Sequence, residues 1–512
     1  MKANKSFKKI ASAATAAILS TCTIMPISIT NVSAASIEIT NSQAGHTYEA
    51  YQIFSGDLAG GKLSNIQWGS GVNASEALMN EIKALNGFGS CVTAADVADV
   101  LSGSSDDSET AKNFAIIIGK YLTNPSGTST AASSPYAINV AANGYYLIKD
   151  KDDTINDQED KTYTEYIVQV LGDKTDIEAK SSLPTFEKKV NDINDTSGTA
   201  EALKDYADHD KGDEVTFTLK GTLPDNYDAF NAYKYVMHDS LSTGLTFNAG
   251  SLEVKVDGTK ITSGYNLKTS TSDNHTFDIE FPDLKTISGV TKSSEITVTY
   301  TATLNDTADI GKPGNPNEAY LEYSNNPYDD GSDTAKTPSD EVIVYTYDVI
   351  IDKVDGNNNP LPNAGFTLYK LDSDGTTWNQ VKKITASSAT QFTFSGVDDG
   401  KYKLEESETP DGYNTIKPIY FEITANHENG LTLLSVQEQD ENGSTISSGG
   451  YTFTALTDEG QVKTTIQNKS GSTLPSTGGI GTTPFYVGGG VLVAAAGVYI
   501  IVKKRMKNNE NK

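Results

Sequence analysis

Three ionisable side chains in this 512-residue chain fall where a β-strand should carry apolar ones. Tyr402, Leu404 and Glu406 recur at period two, so they share one strand face, and Glu406 points where its apolar neighbours point. A carboxylate there is expensive unless a partner meets it. Ile351 lies on the same face as Lys353, and Phe186, Lys188 and Val190 alternate in the same way, which selects Lys188 over Lys189. Desolvation disfavours the ammonium of a lysine carried into a core, and the neutral amine that results is a nucleophile. Other chemistry is harder to find. The five histidines (His46, His209, His238, His275 and His427) show no metal-ligand spacing, and there is no glycine-rich phosphate loop or nucleophile elbow. No cofactor, metal or turnover-enzyme activity is expected.

The ends of the chain place these groups outside a cell. Residues 1–35 read as an export signal: Lys2, Lys5, Lys8 and Lys9 precede a mostly apolar stretch from Ile10 to Ile29, and small residues around Ala34 suit a signal peptidase. At the other end come Leu474, Pro475, Ser476, Thr477 and Gly478, then an apolar stretch over 485–502, then a basic tail over 503–512. The stretch is long enough to cross a hydrocarbon core of roughly 30 Å, and the basic residues fix the tail in the cytoplasm.

The chain carries 40 basic against 67 acidic residues, for a net charge of -27. Without the nine bases and one acid of the two ends, residues 36–477 stand at -35. Such a charge repels nucleic acid and disfavours anionic lipid. With 26 Tyr, 16 Phe and regular alternation, the chain nonetheless reads as packed domains. Of its two cysteines, Cys22 leaves with the export signal, so Cys91 has no internal partner. Covalent reinforcement of the exported chain must use chemistry other than a disulfide.

The elements that must position the lysines and the glutamate are strands. Residues 36–180 mix strands with helices over Ala74 to Leu85 and Asp107 to Leu122. Residues 181–345 and 346–471 are nearly all strand signal, with runs such as Val215 to Leu219, Ile296 to Tyr300 and Gly365 to Tyr369 between Gly, Asn, Asp and Pro turns. The polar stretch 440–450 reads as a surface loop. The fold class expected is mainly β, with tandem sandwiches after a mixed α/β N-terminal domain.

Two resemblances sharpen this. The Leu474–Gly478 pentamer followed by a span and a basic stop is similar to the cell-wall sorting signal of Gram-positive surface proteins. It implies that a sortase cuts between Thr477 and Gly478 and transfers the Thr477 carbonyl to an amine. The run Tyr402 to Tyr413 resembles the E-box of collagen-adhesin B-type domains in sortase-assembled Gram-positive pilins. In such domains Lys353 would be the first-strand lysine and Asn468 the last-strand asparagine, joined in an isopeptide bond with Glu406 shuttling protons. The middle domain is similar to the A-type, immunoglobulin-like pilin domains. There the resemblance implies Lys188, Asp239 and Asn317, with Asn325 as the alternative amide and Glu253 as a rival carboxylate. Family members place the lysine that accepts the next subunit in a Tyr-Pro-Lys-Asn sequence at the end of the first domain. The corresponding stretch here, Val170 to Ser181, lacks that tyrosine and proline; Lys180 is the first choice and Lys174 the second.

The function implied is a pilus backbone subunit supporting adhesion; the alternative is a wall-anchored, basal or tip adhesin that forms no shaft. The partners implied are a housekeeping or pilin-specific sortase, further copies of the chain, minor pilins and peptidoglycan. A host glycan or protein stays open as a partner, and nucleic acid is not expected.

Overall fold

Alternation of buried and exposed side chains builds most of this molecule. In Glu295–Leu304 every second residue is buried: Ile296, Val298, Tyr300, Ala302 and Leu304. Glu214–Thr222 repeats the pattern with Val215, Phe217 and Leu219. Such strands have one face for a core and one for water. The computed structural model describes residues 35–509 apart from 41–43, 106–107, 156–158, 172–173, 180, 201–202, 270–273, 330, 449 and 472–481. Residues 1–34 of the export segment, Lys180 and Leu474–Gly478 lie outside the described residues.

The N-terminal region is mixed α/β. Tyr48–Ala59 and Gly144–Asp150 pair antiparallel, and Ala35–Thr40 lies between Tyr136–Val140 and Lys174–Glu178. Three helices cover part of this framework, bringing Phe54, Phe88, Phe114 and Ile118 into one core. The expected helices are there but shorter, Glu76–Ala84 and Glu109–Gly119, because Ser75 and Ser108 cap their N-termini. A third helix, Ala94–Ser102, was not anticipated. Its sign in the sequence is the Thr93-x-x-Asp96 capping box, in which each side chain bonds the other's backbone N–H.

The middle region is a two-sheet sandwich. One sheet runs, in spatial order, Thr259–Ile261, Leu245–Val256, Glu295–Leu304, Glu214–Thr222 and Phe186–Val190. The other includes Asp340–Tyr345, Asn315–Ser324, Tyr235–Leu241 and Phe277–Phe281 as successive neighbours. Phe217, Leu219, Met237, Ile279 and Val298 fill the space between them. The hairpin after Val256 turns on Asp257 and Gly258, both at positive φ, as a two-residue type I′ connection requires. Gly221 has a different reason: a Cβ there would meet the Tyr235 hydroxyl at 1.8 Å.

A second sandwich follows. Tyr347–Val354 lies between Gln391–Val397 and Gln461–Gln467, antiparallel to the first and parallel to the second. The facing sheet holds Gly365–Leu371, Gly400–Glu408, Ile419–Asn426 and Leu433–Gln439 as successive neighbours. Beyond it the helix Thr483–Asn509 contains an apolar stretch, Phe485–Met506, long enough to cross a membrane. The chain is thus mainly β, with immunoglobulin- and prealbumin-like sandwiches after a mixed N-terminal region.

Candidate functional site

Strand alternation carries Lys353 inward. Lys353 shares the buried face of its strand with Ile351 and Val349 and is 1 % exposed. The parallel neighbour strand sets Ile466 opposite Lys353, and the chain then continues to Asn468, whose backbone N–H donates to Val354 O at 3.0 Å. This register brings the Asn468 carboxamide to the amine: Lys353 Nζ donates to Asn468 Oδ1, and to Ile466 O at 3.3 Å. Glu406 reaches over from the facing sheet on the same strand face as Tyr402 and Leu404. Asn468 Nδ2 donates to both of its carboxylate oxygens, at 2.7 and 3.0 Å, and Lys353 Nζ lies 3.6 Å from Oε1. The Ile416 N–H and the Thr409 hydroxyl donate to Oε2 at 3.1 and 3.4 Å. Burial pushes the Lys353 amine below the ordinary lysine value, against the pull of Glu406.

The second cluster is wholly enclosed: Lys188, Asp239 and Asn317 each have no exposure. Lys188 comes from the edge strand of one sheet, while Asp239 and Asn317 come from neighbouring strands of the other. Lys188 Nζ donates to Asp239 Oδ2 at 2.6 Å and to the Tyr300 hydroxyl at 3.1 Å. Tyr300 donates to the same Asp239 oxygen at 2.8 Å and accepts from Asn317 Nδ2 at 2.8 Å. The amine also lies 5.7 Å from the ring centre of Phe217 and 5.6 Å from that of Tyr300. In these surroundings burial lowers the amine and raises the acid. The pair is thereby biased towards its neutral form.

The two alternatives in this region lie elsewhere. Asn325 faces the N-terminal region: its Nδ2 donates to Ile155 O at 3.4 Å, and its backbone carbonyl accepts from Tyr163 N–H and the Thr162 hydroxyl. Glu253 stands at the surface between Lys255 and Lys260, whose hydrogen bonds hold it down at about 2. Lys189, next to the chosen lysine, points outward to Asp205. Lys174 begins the strand Lys174–Glu178, with its Cα opposite Ser36 in parallel register.

Two features escaped the sequence reading. Tyr300 reads as one more apolar strand residue; only the fold shows its hydroxyl at the centre of the Lys188 cluster. A third buried lysine, Lys370, ties the two sandwiches together. Its Nζ donates to Asp195 at 2.8 Å, to Asp210 at 3.0 Å, and to Asp398. Burial would lower this amine too, but three carboxylates outweigh it and drive it well above the ordinary lysine range. Beside one carboxylate and one amide, burial wins and the lysine is lowered, whereas three carboxylates together raise it.

Comparison with known proteins agrees with this architecture. Residues 347–440 match the model of a prealbumin-like fold domain, and residues 466–510 that of the LPXTG cell wall anchor motif. The trypsin-resistant surface T6 protein of Streptococcus pyogenes serotype M6 is 30 % identical over 396 residues, covering 64 % of this chain and 70 % of that protein. The structure of the T6 backbone pilin of serotype M6 Streptococcus pyogenes, a modular three-domain protein, aligns with a TM-score of 0.54 at 21 % identity. The alignment covers 87 % of this chain and all of that one. The full-length major pilin SpaD from Corynebacterium diphtheriae aligns over 87 % of this chain and 99 % of its own, with 16 % identity and a TM-score of 0.47. The anchor motif and the apolar C-terminal helix make the chain an extracellular, wall-anchored protein exported by the secretory pathway. It belongs to the sortase-assembled, LPXTG-anchored backbone pilins of Gram-positive bacteria.

Proposed function

We propose that this chain forms the shaft of a covalent pilus whose subunits are each reinforced by two internal Lys–Asn isopeptide bonds. The subunit divides into an N-terminal domain over 36–180, a middle sandwich over 181–345 and a C-terminal sandwich over 346–471. Sortase breaks the Thr477–Gly478 bond, holds the Thr477 carbonyl, and passes it to the ε-amine of Lys180 in the next copy, with Lys174 the second choice.

The observation that carries the internal bonds is the direct contact of amine, amide and carboxylate in the C-terminal core and their junction through the Tyr300 hydroxyl in the middle one. In the C-terminal sandwich neutral Lys353 Nζ adds to Asn468 Cγ, Glu406 relays a proton from Nζ to Nδ2, and ammonia leaves. One Nζ–Cγ bond forms and one Cγ–Nδ2 bond breaks, so that amine plus carboxamide become a secondary amide plus ammonia. Enclosure supplies proximity, and Glu406 touches both nitrogens. In the middle sandwich Lys188 adds to Asn317 Cγ in the same way. The Asp239 carboxyl is within reach of the amine but meets the amide only through Tyr300, so the proton travels from Nζ to Asp239, Tyr300 and Nδ2.

Mass spectrometry of digested native pili tests the whole assignment. The expected products are Lys353–Asn468 and Lys188–Asn317 peptides that have each lost one ammonia, and a branched Thr477–Lys180 peptide. Thr477 found only on peptidoglycan cross-bridge amines would replace the shaft with a wall-attached adhesin or basal subunit. Unlinked lysines in both cores would remove the internal bonds.

A further inference from the structure

On the outer face of the middle sandwich, away from the Lys188 cluster, strand pairing brings His238 to His275 and Asp278, which lie 37 and 40 residues further along the chain. His238 lies directly opposite Asp278 on one neighbouring strand and Tyr320 on the other. His275 approaches from the segment that leads into the Asp278 strand. The His238 and His275 Nδ1 atoms are 3.1 Å apart, and Asp278 Oδ1 lies 2.7 Å from the first and 3.2 Å from the second. Three ligand-type atoms therefore form one small triangle. Zinc with Zn–N and Zn–O bonds of about 2.0–2.2 Å sets tetrahedral edges of about 3.3 Å, close to the 3.1 and 3.2 Å separations, while the 2.7 Å between His238 and Asp278 would have to open on binding.

The atoms behind the triangle point the same way. A ligating imidazole usually gives its other ring N–H to a carboxylate or another acceptor, which fixes the tautomer and turns the free lone pair towards the ion. His238 Nε2 lies 3.1 Å from Glu322 Oε2, and His275 Nε2 lies 3.3 Å from the Tyr320 hydroxyl. With Nε2–H of His238 given to Glu322, a neutral ring turns its Nδ1 lone pair at the Asp278 oxygen 2.7 Å away. Two lone pairs facing at that distance repel unless a cation lies between them. Protons on both Nδ1 atoms, each donated to Asp278 Oδ1, are the competing solution. A divalent ion satisfies all three atoms together. His238 and Asp278 are buried while His275 is half-buried, so the site has firm walls and an accessible side for a fourth ligand.

We infer that His238, His275 and Asp278 form a structural zinc-type site in the middle sandwich, with a fourth position open to water, that pins the His275 segment onto the sheet. Two imidazoles and a single carboxylate suit Zn2+ and disfavour Ca2+, which takes six to eight oxygens. The spacing of the histidines gives no warning of this: the ligands come from two strands and a connecting segment.

The test is metal binding by the full chain, held in detergent because of its apolar C-terminal helix and stripped with a chelator. Zn2+ alone is the titrant, Co2+ the spectroscopic substitute and Ca2+ the comparison. One Zn2+ per chain is expected, with tetrahedral Co2+ bands and Ca2+ binding at least about tenfold weaker. His275→Gln and Asp278→Asn should each weaken Zn2+ by about tenfold or more, and Glu322→Gln by about tenfold through the ring it orients. His275 lies outside the strands, so thermal unfolding of His275→Gln in chelator should match the parent and show that the fold is intact. His427→Gln should bind as the parent does, because His427 belongs to a separate cluster with Asp192 and Asp208. No stoichiometric Zn2+, a smaller loss in either the His275 or the Asp278 variant, or a loss in His427→Gln instead would overturn the site and leave a proton-bridged histidine pair.

Discussion

Lys353 and Lys188 meet the same chemical problem with different geometry. In the C-terminal sandwich Asn468 directly follows the strand that runs parallel beside the Lys353 strand in one sheet, and the carboxylate arrives from the facing sheet. The longer Glu406 side chain spans that gap and holds the amide with both oxygens. In the middle sandwich the lysine is on one sheet and the amide on the other, beside the carboxylate's own strand. The shorter Asp239 reaches the amine but contacts the amide through a tyrosine hydroxyl. A bond at the first site would fasten neighbouring strands that are already hydrogen-bonded, whereas a bond at the second would fasten two sheets together. Which carboxylate serves is therefore a matter of strand placement. Glu suffices where it can span the gap alone, and Asp requires an intermediary.

The largest expected effect breaks this contrast directly. Removing either amide should leave an open loop of more than a hundred residues, worth about 4–5 kcal/mol on the chain-entropy account that describes disulfides. Asn317→Ala should cost more than Asn468→Ala, because it frees the two sheets and leaves Lys188 and Asp239 enclosed without the amide. Thermal unfolding of the two variants measures this, and equal losses would remove the distinction between inter-sheet and in-sheet bonds.

Next in size is the lysine that should not react. Lys370→Ala strips the cation from Asp195, Asp210 and Asp398 and should cost about 3 kcal/mol, as other broken buried ion pairs do. The mass of the subunit's crosslinked peptides should not change. A Lys370 peptide that has lost ammonia would contradict the rule that several carboxylates keep a buried lysine charged.

Tyr300→Phe sharpens the comparison by acting on one site only. It removes the hydroxyl between Asp239 and Asn317, which should slow Lys188–Asn317 formation by about a hundredfold or more and cost about 1–3 kcal/mol through the unpaired amide. The Lys353–Asn468 bond should form as before. Time-resolved intact mass would separate the two, and equal slowing at both sites would deny Tyr300 a local role.

The smallest effect depends on pH. In Asn468→Ala, Lys353 remains a free amine whose pKa is lowered by burial from the ordinary 10.5. The unfolded chain then binds more protons than the folded one between the lowered value and 10.5, so stability rises with pH across that window. The slope approaches at most about 1.4 kcal/mol per pH unit. The parent, with Lys353 in an amide, should lack this slope in chemical denaturation.

Period-two alternation made Glu406, Lys353 and Lys188 legible in the sequence, because a strand's side-chain direction is set locally and a charged residue among apolar ones stands out. The order of exported sandwiches, the apolar helix and the sorting pentamer were legible for the same reason: each is a contiguous pattern of residue types. The resemblance supplied their partners. What only the tertiary structure decided is which distant groups meet. Asn317 rather than Asn325 joins the Lys188 cluster, through Tyr300, because it lies within the strand that pairs with the Asp239 strand, while Asn325 follows the end of that strand and meets Ile155 and Tyr163. Tyr300 joins the cluster because its strand crosses the facing sheet at that level, and the His238, His275 and Asp278 triangle exists only because two strands pair in one register. Local sequence sets the direction in which a side chain points, but the packing of sheets sets what it points at.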